Sequence, residues 1–156
     1  MAQPDLTDED LGQLVERVRA AAGALMRGDA RRYFKLVDEA SDFTLMPPTG
    51  GPTRRGPDTS PAGIEALEKF FAGSGDADFE LEQSYASGDL VVLVGVERQH
   101  GTVGGLPEQD WSLRVTLVFR REGLDWRLVH RHADALVQPI SMAQLSQLAR
   151  GAAEAG

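Results

Sequence analysis

The sequence predicts an α+β fold in which helices pack on one face of a curved antiparallel sheet. Helical spacing of apolar residues dominates up to about residue 72, alternation with period two dominates from residue 78, and the two patterns are largely segregated along the chain. The 156 residues are predicted to form one domain. Its core covers residues 8–138, a C-terminal helix covers 139–151, and a tail covers 152–156.

Two helices are predicted at the start of the chain. Residues 8–26 carry apolar side chains at helical spacing, and Thr7 with Asp10 forms a capping box. Asp29 can cap a second, shorter helix over residues 30–39. The first helix is amphipathic and is therefore expected to cover one face of the sheet.

A short strand, Asp42–Met46, leads into a long loop. Pro47–Pro61 contains five of the eight prolines, and proline lacks the backbone donor that a sheet requires. Arg54 and Arg55 give the loop two cationic side chains, which are either solvated or part of a functional rim or lid. An amphipathic helix follows, with apolar residues at helical spacing up to residue 71.

Four strands are predicted after residue 77. In two of them, Leu90–Gln99 and Leu113–Phe119, apolar residues occupy both faces. Helices can cover one face of such a sheet, and a second copy of the chain is the simplest cover for the other. The sequence therefore predicts a homodimer.

The last two strands form a predicted hairpin that makes the floor of a pocket. Ser112–Arg121 and Asp125–Leu136 flank a connection that contains Gly123, which suits a tight turn. Alternation along the second arm puts five side chains on one face: Trp126, Leu128, His130, His132 and Asp134.

Composition limits the class of partner. The chain has no cysteine and a net charge of −8, which excludes disulfides and disfavours nucleic acid and anionic membranes. The N-terminus is acidic without an apolar run, and the longest apolar run, Leu90–Val96, is too short to span a bilayer. We therefore expect a cytoplasmic protein whose partner is a small molecule or another protein.

His130, His132 and Asp134 are the candidate catalytic residues. An imidazole can act as a general base near neutral pH when a carboxylate orients it. Alternatively, both histidines are structural groups in the sheet or at the subunit interface. A catalytic metal normally has three protein ligands, and His100 is the one remaining histidine. No metal and no cofactor are expected.

Two stretches resemble a known superfamily. The segment LMRGDARRYFKLV leading into DFTLMPPTGG, and the closing RVTLVFRREGLDWRLVHRHADAL, look like the nuclear transport factor 2-like superfamily and, within it, the SnoaL-like bacterial domains. The final hairpin is also similar to that of the association domain of calcium/calmodulin-dependent kinase. The resemblance covers Leu11–Val137.

This resemblance implies a cone-shaped, cystatin-like fold with a cavity between the helices and the concave sheet face, and commonly a dimer through the convex face. It also implies a range of activities: ketosteroid isomerase, polyketide cyclase, dehydratase or none. Ketosteroid isomerases have a general-base aspartate at a position that corresponds here to Met46, which cannot carry the proton. Isomerase chemistry is therefore disfavoured.

A small hydrophobic or weakly anionic ligand is expected in that cavity. Resemblance to the association domain places Arg114 and Thr116 on its wall, where a buried arginine needs an anionic ligand or a carboxylate such as Glu97 or Asp134. The aromatic and apolar candidates are also what a protein core is made of, and for any single one of them the core role is favoured. The six candidate ligand-binding residues are Tyr33, Phe34, Met46, Trp111, Arg114 and Thr116.

Two functions remain open. The first is a dimeric small-molecule-binding or association module without catalysis. The second is a SnoaL-like acid–base enzyme (an isomerase, cyclase or dehydratase) that acts on a small hydrophobic organic substrate. They are separated by whether His130 or His132 points into a cavity with a carboxylate within hydrogen-bond distance.

Overall fold

The computed structural model describes residues 5–73 and 75–151, so the predicted tail over 152–156 lies outside the described residues. The helices are α1 (Asp8–Met26), α2 (Ala30–Leu36), α3 (Pro61–Phe71) and α4 (Met142–Ala149). The strands are β1 (Glu39–Met46), β2 (Arg54–Arg55), β3 (Asp76–Ser87), β4 (Leu90–Gly101), β5 (Gln109–Asp110), β6 (Leu113–Glu122) and β7 (Asp125–Asp134). Within the described ranges, no helix combines the length and apolar character needed to cross a membrane.

The first helix has the predicted bounds and cap. The Thr7 side-chain oxygen accepts a hydrogen bond from the Asp10 N–H at 3.1 Å, and Asp10 Oδ2 accepts one from the Thr7 N–H at 3.0 Å. The second helix ends at Leu36, short of the predicted end at residue 39. The reason is tertiary: the Asp38 carbonyl already accepts a hydrogen bond from the Leu128 N–H at 2.8 Å, and β1 begins at the next residue.

The strands form one curved, mixed sheet. Six of them run in the order β2-β1-β7-β6-β4-β3, and β5 pairs with the C-terminal end of β4. The predicted α+β class is confirmed. The sheet is not purely antiparallel, however, because β1 runs parallel to β7. The proline-rich loop also contributes Arg54–Arg55 to the sheet, as the short edge strand β2.

We call the face of the sheet against which the helices pack the inner face, and the opposite one the outer face. In the core, Leu14 and Val18 of α1 pack against the inner face of the sheet. The side chains they meet include Leu93, Leu117 and Phe119, and all five residues are at most 3% exposed. Burial of such side chains, at about 1.5–3 kcal/mol each, is what holds the helices on the sheet.

A β-bulge in β3 reverses the alternation of its side chains. The pairing with β4 shifts between Leu81 and Gln83, which leaves Glu82 as the extra residue. Phe79 therefore points to the inner face, whereas Tyr85 points to the outer face. Uninterrupted alternation would have put both rings on one side.

A second bulge in β7 changes where the candidate catalytic residues point. Leu128 pairs with Phe119 of β6, and His130 pairs with Val118. Val129 is therefore left without a partner on β6. Trp126 and Leu128 face the core, while the two histidines and the following aspartate face out. The prediction that all five side chains share one face is wrong for this reason.

Gly95 allows Phe79 of the neighbouring strand to pack closely against β4. A Cβ atom at position 95 would lie 2.7 Å from Phe79 Cε2 and would overlap the Glu80 carbonyl oxygen. We expect Gly95→Ala to lower the free energy of unfolding by about 1–3 kcal/mol, the usual cost of overpacking a core. Urea denaturation measures this change.

Gly12→Ala is the matched control for this prediction. A Cβ atom at Gly12, in α1, would meet nothing within 4 Å, so this variant should be neutral or more stable by up to about 1 kcal/mol. If both variants unfold at the wild-type urea concentration, the close packing of Phe79 against β4 is not a constraint on the fold.

Candidate functional site

A buried ion pair joins β4 and β7 across the inner face. Arg131 donates hydrogen bonds to both carboxylate oxygens of Glu97, at 2.6 and 2.8 Å. The two side chains are only 17% and 4% exposed. Gln99 donates a further hydrogen bond to Glu97 Oε2 at 2.7 Å. Glu97 thus accepts three hydrogen bonds, which offset the cost of burying its charge.

Glu39 lies near this pair, at the start of β1. It is in register with Leu128, which puts its side chain on the inner face. Its Oε2 atom is buried and has no hydrogen-bond partner. Burial raises the pKa of Glu39 to about 7, and the positive charge of Arg131 offsets this shift only in part. A carboxyl group with this pKa can give up and take a proton near neutral pH.

Tyr33 of α2 completes a group of polar side chains on the inner face. Burial raises the pKa of its phenol, so the hydroxyl group keeps its proton and can donate a hydrogen bond. Phe34 packs edge-on against Tyr33, with ring centroids 5.1 Å apart. We call this group the inner polar cluster, and its members are Tyr33, Glu39, Glu97, Gln99 and Arg131.

The cavity next to the inner polar cluster is small. Its volume is about 10 Å³, and Tyr33, Glu97 and Arg131 line it together with core residues such as Phe119 and Leu128. This volume suits a single water molecule with polar partners. The family resemblance implied a wide ligand cavity at this place. In the conformation described, the cavity there has room for one water molecule.

The three candidate catalytic residues lie together on the outer face, away from this cavity. His130 Nδ1 is 2.8 Å from Thr44 Oγ1, and the exposed His132 ring is 6.5 Å from that of His130. Arg114 donates two hydrogen bonds to Asp134, both at 2.8 Å, and they hold the pKa of that carboxyl below its usual value. The expected pairing of Arg114 with Asp134 is present, but the reason for expecting it is wrong, because the Arg114 side chain is 55% exposed on the outer face and is not buried on a cavity wall. Asp134 thus orients Arg114 rather than an imidazole.

The structure distributes the candidate ligand-binding residues over both faces. Tyr33 lines the cavity. Arg114 and Thr116 lie on the outer face of β6, and Met46, at the end of β1, is 41% exposed. Trp111 is half-buried, and its Nε1 donates to a backbone carbonyl of β4 at 3.0 Å. Their contact with a ligand stays a prediction.

Two members of the inner polar cluster escape sequence reasoning altogether. Glu39 is missed because its position reads as the end of a helix, and Arg131 because the bulge at Val129 reverses its face. Glu97 carries a usable signal: a carboxylate that directly follows seven apolar residues in a strand is buried and must be paired. Among the residues described, no group of three or more acidic or histidine side chains is arranged to hold a metal ion.

The family model of the SnoaL-like domain matches residues 15–138, most of the sequence. The chain belongs to the SnoaL-like domain family. In this SnoaL-like domain the inner polar cluster and the outer-face histidines both fall within the matched residues. No curated protein matches the chain.

Solved structures share the fold of this SnoaL-like domain. An NTF2-like protein with a cystatin-like fold from Novosphingobium aromaticivorans has 22% identity and a TM-score of 0.61, with 90% of this chain and 89% of that chain covered. A candidate dehydratase of the NTF2-like family from Streptomyces avermitilis has 22% identity and a TM-score of 0.58, with 83% of this chain and 96% of that chain covered. A candidate calcium/calmodulin-dependent protein kinase II association domain from Xanthomonas campestris has 19% identity and a TM-score of 0.59, with 89% of this chain and 94% of that chain covered. At these identities the likeness establishes the fold.

Proposed function

We propose that this chain is a cytoplasmic homodimer that acts as an association module through the outer face of its sheet. One observation carries the proposal: the centre of that face, on β3, β4 and β6, is uncharged and partly exposed. We call this surface the outer patch, and it consists of Tyr85, Leu90, Val92, Val94, Thr116 and Val118. Tyr85 is 60% and Leu90 is 45% exposed, and the other four are half-buried.

Charged pairs border the outer patch. An apolar centre inside a charged rim is the common anatomy of a protein interface. Two copies of a chain with a net charge of −8 repel each other over most of their surfaces, so an uncharged patch is where they can meet. The bordering pairs are Arg98–Glu80 at 3.2 Å, Arg114–Asp134 at 2.8 Å and Arg120–Asp42 at 2.8 Å.

Two further observations favour association over ligand binding. The interior cavity of about 10 Å³ is too small for an organic molecule in the described conformation. In addition, a solved structure that resembles this chain is described as an association domain. The small-molecule-binding form of the function would need the interior to open.

Placing a charge in the outer patch tests the proposal. We expect wild-type protein to sediment as a dimer at micromolar concentration, and Val118→Glu to raise the dimer dissociation constant at least about 100-fold. The physical reason is that two buried like charges at an interface cost several kcal/mol. Leu124→Glu, on the fully exposed hairpin turn, is the matched control and should remain dimeric. A monomeric wild type would contradict the proposal.

Glu39 favours a second function, an acid–base enzyme that acts on a small carbonyl compound. A carboxylate at position 39 would take a proton from the carbon next to the carbonyl group, and the negative charge would develop on the carbonyl oxygen. Tyr33, which keeps its proton, would donate a hydrogen bond to that oxygen. Both side chains are half-buried, so a substrate could reach them from the surface when the helices move apart. A structural neighbour described as a candidate dehydratase supports this class.

Hydrogen–deuterium exchange on carbon tests this second function without knowledge of the natural substrate. Small ketones and β-hydroxy carbonyl compounds would be incubated with the protein in D₂O and followed by proton NMR. An enzyme of this class exchanges the proton next to the carbonyl, and Glu39→Gln should slow that exchange at least about 100-fold. Glu82→Gln, an exposed carboxylate on β3, should leave the rate unchanged. If wild-type protein exchanges none of the compounds, Glu39 is not a catalytic base for them.

A further inference from the structure

Helix α4 lies outside the family match, which ends at residue 138. It is a well-formed helix: Ser141 Oγ accepts from the Gln144 N–H at 3.1 Å, and the Ser141 N–H donates to Gln144 Oε1 at 3.0 Å. None of its eight residues is buried. A helix of this length is not stable in water by itself, so its sequence calls for a surface to pack on.

One side of α4 is apolar and open to solvent. Met142, Leu145 and Leu148 recur at every third position and therefore share a side of the helix. They are 78%, 42% and 63% exposed. Met142–Ala149 contains no charged residue, in a chain where 26% of the residues are charged. A neutral helix with three exposed large apolar side chains on one side has the form of a segment that docks on a hydrophobic surface.

Charge identifies the surface. A basic or acidic partner would be selected by opposite charge, and α4 offers none over its length. A second copy of this chain, at a net charge of −8, meets the least repulsion where both surfaces are neutral. The outer patch is such a surface, and Tyr85 and Leu90 are its most exposed members.

We infer that α4 is an arm that packs on the outer patch of the partner subunit, against its Tyr85 and Leu90. This inference rests on the proposed homodimer. Seven residues, 135–141, join β7 to α4 and can extend over at most about 24 Å. A two-fold axis that lies between the two sheets and runs across the strands exchanges the two ends of the strands, so it brings the end of β7 over the partner's turn between β6 and β7. The partner's Leu90 lies two strands away from β7 in the sheet, roughly 10 Å to the side, and the linker can reach it. Each arm then covers the exposed edge of the other subunit's patch, and the interface is isologous.

Cross-linking between different variants tests the inference directly. The natural chain has no cysteine, so an introduced cysteine supplies the only thiol in each variant and any cross-link must form through it. Ser146→Cys places a thiol on α4, and Ser87→Cys places one on the outer face of β3; both positions are exposed. We expect a short thiol-specific cross-linker to give a covalent dimer when the two single variants are mixed, but not from either variant alone. A covalent dimer from Ser146→Cys alone, or none from the mixture, overturns the inference.

A second measurement separates this inference from the proposed dimer. Leu145→Gln/Leu148→Gln keeps helix propensity but removes the apolar side, and should raise the dimer dissociation constant at least about tenfold. Ala143→Gln, on the opposite side of α4, is the control and should leave it unchanged. If the double variant dimerises as wild type while Val118→Glu does not, the arm is refuted and the dimer stands. If wild type is a monomer at all accessible concentrations, the proposed function itself fails.

Discussion

Replacing Arg131 with Met is expected to lower the free energy of unfolding by about 3–5 kcal/mol, because it leaves the Glu97 carboxylate buried without its counter-charge. The Glu97 side chain is 4% exposed and receives two of its three hydrogen bonds from Arg131. Once Arg131 is gone, Gln99 alone remains to solvate the charge. Urea denaturation followed by circular dichroism measures the loss.

Arg114→Met is the matched control. Arg114 also makes a bidentate pair, with Asp134 at 2.8 Å for both hydrogen bonds, but those side chains are 55% and 34% exposed. Solvent screens this pair, so its loss should cost no more than about 1 kcal/mol. Equal effects of the two substitutions would show that burial does not set the strength of the inner pair.

A double variant guards against the case in which Arg131→Met does not fold. In Arg131→Met/Glu97→Gln both charges of the pair are removed, and the new amide can still bond to Gln99. We therefore expect the double variant to recover most of the stability lost by the single one. If it is as unstable as the single variant, lost packing rather than an unpaired charge is responsible.

The second large effect is a dependence of stability on pH that comes from Glu39. Its pKa is about 7 in the folded protein, against 4.5 as its ordinary value, so between these pH values the folded chain keeps a proton that the unfolded chain releases. The contribution of Glu39 to the free energy of unfolding therefore falls as pH rises from 4.5 to about 7 and is constant on either side of that window. After allowance for partial exposure, the fall is on the order of 1–3 kcal/mol.

Glu39→Gln isolates this contribution, because the amide does not titrate. Subtracting the stability curve of the variant from that of wild type should leave a downward step between pH 4.5 and 7. Asp134 and Asp42 have lowered pKa values, so their contributions are lost below that window, as pH falls, and cancel in the difference. Glu82→Gln should give a flat difference curve. A flat curve for Glu39→Gln would mean that its carboxyl group is hydrated in the folded state.

Sequence patterns do not predict that Glu39 and Arg131 face the interior, whereas other features of the fold are predictable from local patterns. The bounds of α1 follow from its spacing and from the Thr7 cap. The hairpin of β6 and β7 follows from two apolar runs around Gly123. In each case the deciding interaction spans a few residues or one hairpin.

Strand pairing decides the rest, and it involves residues far apart in the chain. The parallel contact of β1 with β7 brings Glu39 to the inner face and ends α2 early. The bulge at Val129 turns His130 away from the interior and Arg131 towards it. A bulge changes a whole register by one residue, and side chains of similar type on both sides of β7 give no local sign of it.

By itself, the sequence determined the α+β class, the family resemblance and most helices and strands, because spacing, caps and turns are local properties of the chain. Only the tertiary structure decided which face each polar side chain occupies. It buried Arg131 with Glu97, raised the pKa of Glu39 and left the predicted histidine site on the outer face. The physical reason is that burial and charge pairing depend on register, and one extra residue in a strand exchanges its two faces.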